Sequence, residues 1–149
     1  MEKKEIIPQI YLYRRIVRAK LFIDNNFHEN LNLDDIAGEA SFSKFHFIRL
    51  FRIIYNKTPH QYLISVRIEA ARLLLKETQP VKEVCFAVGF DSVSSFSILF
   101  KRLTTFSPSN YQKRCIERKN TMLNEPLRFI PNCFLEQHRH VPQFSICNV

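Results

Sequence analysis

Glycine is nearly absent from this chain: Gly38 and Gly89 are the only two in 149 residues. Phosphate-cradling loops of the Walker or dinucleotide-binding kind need several glycines close together, so a nucleotide-binding enzyme is not expected. No apolar run is long enough to span a bilayer. The opening residues Met1-Glu2-Lys3-Lys4-Glu5 are charged and lead into no signal-like segment. The expectation is a cytoplasmic protein with no membrane partner. Four cysteines, Cys85, Cys115, Cys133 and Cys147, follow no disulfide-framework spacing and are expected to stay thiols. The histidines His28, His46, His60, His138 and His140 are scattered, so no Ser-His-Asp or Cys-His arrangement can be built from spacing. Neither catalysis nor a cofactor is expected.

What the chain does have is positive charge, unevenly placed. The formal net charge is +8. From Asn120 onward the charged residues are Glu125, Arg128, Glu136 and Arg139, which cancel, so the whole excess lies in the first 119 residues. A basic region followed by a neutral one fits a polyanionic partner, although a merely solvated basic surface would look the same by charge alone.

The apolar periodicity is helical throughout, and the predicted class is all-α. Leu12, Ile16, Ala19 and Ile23 predict a helix over Tyr11 to Asn25. Asn32 is placed to cap a short helix from Leu33 to Glu39, and Ser43 to cap another running to about Tyr55 with Phe47, Leu50 and Phe51 as its apolar stripe. Asn56 is a suitable stop, because asparagine tolerates the left-handed conformation. Thr58-Pro59 opens a long helix to about Lys76, marked by Tyr62, Leu63, Val66, Ala70, Leu73 and Leu74. Gln79-Pro80 breaks it. Val81 to Ala87 and Val93 to Leu103 are then expected as two more helices around a sharp turn at Gly89, and Ser107-Pro108 caps a last one. From about Asn120, Pro126, Pro131 and Pro142 interrupt the pattern and an extended or weakly ordered tail is expected.

The same unit occurs twice. Ile36 and Val84, Ala40 and Val88, and Phe42 and Phe90 are 48 apart; Phe47 and Phe96, Phe51 and Phe100, Pro59 and Pro108, and Tyr62 and Tyr111 are 49 apart. The extra residue falls in the turn between the paired helices. A short helix, a tight turn, a second helix with an aromatic stripe and a Thr/Ser-Pro cap is a helix-turn-helix, here in tandem at about 33–56 and 81–105, joined by the helix 59–76. Ala37 and Ala40, and Cys85 and Val88 in the second unit, must be small or apolar for the paired helices to approach. Cys85 is therefore read as a buried hydrophobe.

In such a unit the second helix enters the major groove. The residues left outward on it are Lys44, Phe45, His46, Ile48, Arg49 and Arg52 in the first unit, and Val93, Ser94, Ser97, Ile98, Lys101 and Arg102 in the second. Arginine can hold guanine with two hydrogen bonds, and apolar groups can meet a thymine methyl, so Arg49 is the leading candidate for base readout. Contact with phosphate alone, or a simply solvated side chain, are the competing roles for Arg49. His46 is open between phosphate contact and local packing, and Phe45 between base contact and core packing.

The run from Leu33 to Arg114 resembles the DNA-binding domain of the AraC/XylS family. The matching elements are Leu33-x-x-Ile36-Ala37, Ser43-Lys44-Phe45-His46, Leu50-Phe51, Thr58-Pro59-x-x-Tyr62, Arg67-x-x-x-Ala71 with Leu73-Leu74, Val88-Gly89-Phe90 with Asp91-Ser92, Phe96, Phe100-Lys101 and Ser107-Pro108-x-x-Tyr111. The resemblance implies homeodomain-like three-helix units and a transcription regulator that binds double-stranded DNA at an asymmetric site through both. A rigid helix from Pro59 to Lys76, about 27 Å long, can set one reading helix in each of two successive major grooves about 34 Å apart. The resemblance also implies contact with RNA polymerase, and because both units lie on one chain a monomer on DNA is expected. It puts base contacts on Phe45, Ile48 and Arg49, and on Val93, Ser94, Ser97 and Ile98. The chain departs from the family pattern at Asn56 and Thr105, where glycine is common, at Gln112, often arginine, and at Ile98, often polar or basic. The second unit is therefore expected to read DNA less specifically. By its length the chain resembles the short stand-alone members, commonly controlled by abundance, and the same control is expected here. Two readings compete: a sensor in which Cys133, His138, His140 and Cys147 hold a metal, although their spacing is no standard zinc pattern, and an interaction module that keeps the fold without binding DNA.

Overall fold

A computed structural model describes residues 3–131, with side chains from Ile10 onward. Among the described residues the regular structure is seven α-helices, α1 (Lys3–Asn26), α2 (Leu33–Glu39), α3 (Lys44–Tyr55), α4 (Pro59–Lys76), α5 (Val81–Ala87), α6 (Val93–Thr104) and α7 (Pro108–Asn124), and a short 3-10 turn at Pro126–Phe129. No helix among them is long and apolar enough to cross a membrane. The chain divides by compactness into Met1–Gln112, which holds both helix-turn-helix units, and Lys113–Val149.

Local chemistry explains most of the boundaries. Asn32 caps α2 in a reciprocal box: its Oδ1 accepts from the Asp35 amide at 2.9 Å, and Asp35 Oδ2 accepts from the Asn32 amide at 3.1 Å. Thr58 and Gln61 repeat the device at the start of α4, at 3.2 and 2.9 Å, with Pro59 in the first turn. Ser43 occupies the N-cap position of α3, but its side chain makes no capping bond. Asn56 ends α3 in the left-handed conformation, φ 53°, and Thr105 ends α6 the same way at φ 70°. Helix α1 begins at Lys3, eight residues before the expected start at Tyr11. The C-terminal region also differs from expectation. Helix α7 continues to Asn124 and the 3-10 turn follows, so the extended tail expected from Asn120 does not begin there. Gln112 to Asn124 holds no proline or glycine, and nothing local stops the helix before Glu125-Pro126. The remainder of that tail lies outside the described residues.

Among the described residues up to Gln112, two apolar cores form. The first gathers Ile16, Ala19 and Ile23 of α1 with Ile36, Ala37, Ala40, Phe47, Phe51 and Leu63; the second gathers Ile68, Ala71 and Leu75 with Val84, Cys85, Val88, Phe90, Phe96 and Phe100. Each buried Phe or Ile contributes about 1.5–3 kcal/mol relative to exposure. Helix α4 serves both cores, Leu63 in the first and Ile68, Ala71 and Leu75 in the second. Its buried face therefore rotates along its length, which is why Leu73, one of the apolar residues that mark the helix in the sequence, is 55% exposed. Cys85 is fully buried, its thiol pushed up by desolvation and secondarily by Asp91, with Sγ 3.7 Å from the Phe90 carbonyl.

One arginine holds the turn of the first helix-turn-helix, and a second holds the loop that follows α1. Arg15 donates from Nε to the Ala40 carbonyl at 2.6 Å and from Nη2 to that of Ser41, and its guanidinium lies 3.8 Å from the Phe42 ring centroid. Arg67 donates from Nε to the Phe27 carbonyl and from Nη2 to that of Glu29, both at 2.7 Å, and lies 5.5 Å from the Phe90 ring. Desolvation draws the Arg67 pKa below its usual value, with Asp91 opposing. The loop after α1 therefore belongs to both units, and Phe27 packs against both cores.

Candidate nucleic-acid interface

Burying Phe47 and Phe51 on α3, and Phe96 and Phe100 on α6, forces the opposite face of each helix into solvent. On α3 that face carries Phe45, Ile48, Arg49, Arg52, Ile53 and Asn56, which line one continuous open cleft. Their spacing, at i, i+3, i+4, i+7, i+8 and i+11 from Phe45, is one side of a helix. Phe45 is 86% exposed, which removes the core-packing alternative for it. Ile48 is half-buried, and Arg49 and Arg52 are exposed.

Lys44 stands apart from this cleft. Its Nζ lies 2.7 and 2.8 Å from the two carboxylate oxygens of Asp34 on α2, so part of its charge is already matched. His46 is exposed and its ring sits edge-on to Phe42 at 5.2 Å. Local packing therefore describes His46 in the free protein.

On α6, Ser94, Ile98, Lys101 and Arg102 are exposed and Val93 and Ser97 are half-buried. The 49-residue offset pairs Phe45 with Ser94, Ile48 with Ser97, Arg49 with Ile98 and Arg52 with Lys101. The two outward faces thus share a shape and a cation one turn past the centre, but not a chemistry. Ile53, absent from the candidate residues, is 71% exposed and lies in the α3 cleft. It was legible as the i+8 neighbour of Phe45, but an isoleucine beside Ile54 in an apolar run reads as core.

The titratable groups whose values shift lie away from these faces. Tyr62 OH donates to Asp24 Oδ1 at 2.9 Å and Lys20 Nζ reaches Asp24 Oδ2 at 2.5 Å. The Lys20 value is raised first by that bond to Asp24, and the Tyr62 and Tyr55 values first by desolvation. Arg72 is held up by its contact with the Tyr111 hydroxyl at 3.4 Å and its pair with Glu69 at 2.8 Å. These groups join helices to one another and are structural. Among the described residues no cluster of His, Cys, Asp or Glu could hold a metal ion, and Cys133, His138, His140 and Cys147 lie outside the described residues.

Two paired-helix units on one chain, each turning a basic or mixed face outward from its second helix, define a tandem helix-turn-helix protein. The family model for the helix-turn-helix domain matches residues 36–114. An uncharacterized HTH-type transcriptional regulator from the cgkA 5′ region of Pseudoalteromonas carrageenovora is 32% identical over 113 residues, 74% of this chain and 67% of that protein. The MmsAB operon regulatory protein of Pseudomonas aeruginosa is 33% identical over 119 residues, which are 74% of this chain and 39% of that longer protein. Among solved structures, the DNA-binding domain of AdpA, a global transcriptional factor crystallised with a target DNA, superposes with a TM-score of 0.64 at 26% identity, covering 74% of this chain and 96% of that one. This chain belongs to the AraC-type family of helix-turn-helix, DNA-binding transcription regulators.

Proposed function

We propose that this chain is a cytoplasmic, non-catalytic transcription regulator, one molecule of which binds one asymmetric DNA site, with α3 and α6 in two successive major grooves. The observation that carries this reading is the link between the units. Helix α4 is unbroken over 18 residues, a length of about 27 Å, and Arg67 ties the second unit's side of the chain to the loop that follows α1. A fixed link of that size favours grooves about one turn apart, roughly 34 Å on straight B-DNA. The shortfall favours a modest bend. The site is asymmetric in this reading because the paired positions differ, Arg49 against Ile98 above all. The residues assigned to DNA are Phe45, Ile48, Arg49, Ile53, Val93, Ser94, Ser97 and Ile98 at bases, with Lys44, His46, Arg52, Lys101 and Arg102 nearer phosphate.

The test is spacing. A preferred site is selected from a random duplex pool, and about five base pairs are then inserted between its halves, which turns them to opposite faces of the duplex. Affinity is expected to fall towards that of one half-site. Full affinity after the insertion would refute the rigid link. DNA binding is assigned to residues 1–119, so a chain ending at Lys119 is expected to bind the same site within a few-fold. The family likeness also supports contact with RNA polymerase, expected as altered transcription in vitro from a promoter carrying the selected site.

A further inference from the structure

We infer that the first unit reads thymine methyl groups, and that its half-site depends on them more than the second half-site does. The inference rests on the DNA-binding reading above and adds what the reading face recognises.

Three of the six residues lining the α3 cleft are large and apolar: Phe45, Ile48 and Ile53. Phe45 and Ile53 are 86% and 71% exposed. Phe45, Ile48 and Ile53 adjoin one another on one face beside Arg49 and Arg52, and a contiguous apolar patch rimmed by cations suits a surface that covers it. In the major groove of unmodified DNA the only apolar group larger than a hydrogen on a base edge is the 5-methyl group of thymine. Guanine and adenine offer donors and acceptors there, cytosine a donor beside a bare C5–H, and an apolar side chain set against the donors and acceptors leaves them unpaired. The arginines supply the complementary preference, since Arg49 sits one residue from Ile48 and can take both acceptors of a guanine.

The second helix has less of this chemistry. At the positions matching Phe45, Ile48 and Ile53 it carries Ser94, Ser97 and Arg102. Its one large, strongly exposed apolar side chain on the reading face is Ile98, 68% exposed, where α3 has Arg49. The α6 half-site is therefore expected to hold a single methyl-dependent position, and the α3 half-site two or three.

Deoxyuridine in place of thymidine tests this directly, because it removes the methyl and keeps base pairing, and the protein is unchanged. The full chain is titrated against its selected duplex, with each thymine of the site replaced singly. Burying one methyl is worth about fourfold in affinity. The expected result is a loss of about three- to fivefold at two or three positions under α3 and at one under α6. The losses under α3 should be absent in Phe45→Ala or Ile53→Ala at the position each side chain covers. These side chains are exposed, so neither change should disturb folding, and circular dichroism checks it. Selective binding that survives replacement of every thymine in the first half-site overturns the inference and leaves the DNA-binding reading intact. Failure to select any sequence overturns that reading instead.

Discussion

Gly89 approaches His28 so closely that a β-carbon on it would stand 2.7 Å from the His28 carbonyl oxygen. The turn of the second helix-turn-helix thus rests on the loop that leaves α1, a helix of the first unit's core. Arg67 grips the same loop through the Phe27 and Glu29 carbonyls. The corresponding turn residue in the first unit, Ser41, also has positive φ, 52°. It keeps its β-carbon where Gly89 cannot, because its turn is secured by a side chain, Arg15, rather than by a close backbone approach.

The two glycines should therefore answer to alanine with opposite signs. Gly89 has φ 86° and no room, so Gly89→Ala should destabilise by about 2–3 kcal/mol. Gly38 lies inside α2 with nothing within 4 Å of a built β-carbon, so Gly38→Ala should stabilise by about 0.5–1 kcal/mol. Urea denaturation of the two variants beside the parent measures both; equal effects would contradict the close approach.

Arg67→Met removes two hydrogen bonds from a charged donor and should cost about 2 kcal/mol. It should also loosen the coupling between units. The five-base-pair insertion described above is then expected to cost this variant less affinity than it costs the parent, measured by fluorescence anisotropy on both duplexes.

Thr105 holds the position that Asn56 holds in the first unit, 49 residues earlier, and both are left-handed. A β-branched residue is strained there and asparagine is not. Thr105→Asn should raise stability by about 0.5–1 kcal/mol, seen as an increase of a few degrees in Tm, with no change in DNA affinity. A fall in Tm would mean that the Thr105 hydroxyl, 2.6 Å from the Thr104 carbonyl, matters more than the backbone strain.

Arg49→Ala should cost about 1–3 kcal/mol of DNA binding and relax preference at one or two base pairs. Arg102→Ala, a phosphate contact in this reading, should weaken binding to all sequences alike and lower the salt dependence by about one unit of slope. Repeating the pool selection with each variant separates the two; identical preference profiles for Arg49→Ala and the parent would remove Arg49 from base readout.

By itself the sequence determined the elements and their repetition. Caps at Asn32 and Thr58, breaks at Asn56 and Gln79-Pro80, and the phenylalanines that recur at 49-residue spacing act over a few residues each, so their physics is local and can be read in order. The buried faces of α3 and α6 follow from those phenylalanines, and the outward candidates follow by exclusion. Tertiary structure decided the rest. Only packing shows that the buried side of α4 rotates, leaving Leu73 outside, because one helix answers to two cores. Ile53 was hidden in an apolar run until Ile54 packed against the first core in its place and left it in solvent. The clamp joins Arg67 to carbonyls 40 and 38 residues away, and Gly89 to the backbone of His28. Backbone carbonyls carry no signature in a sequence, so a contact made to them across the fold could be found only in three dimensions.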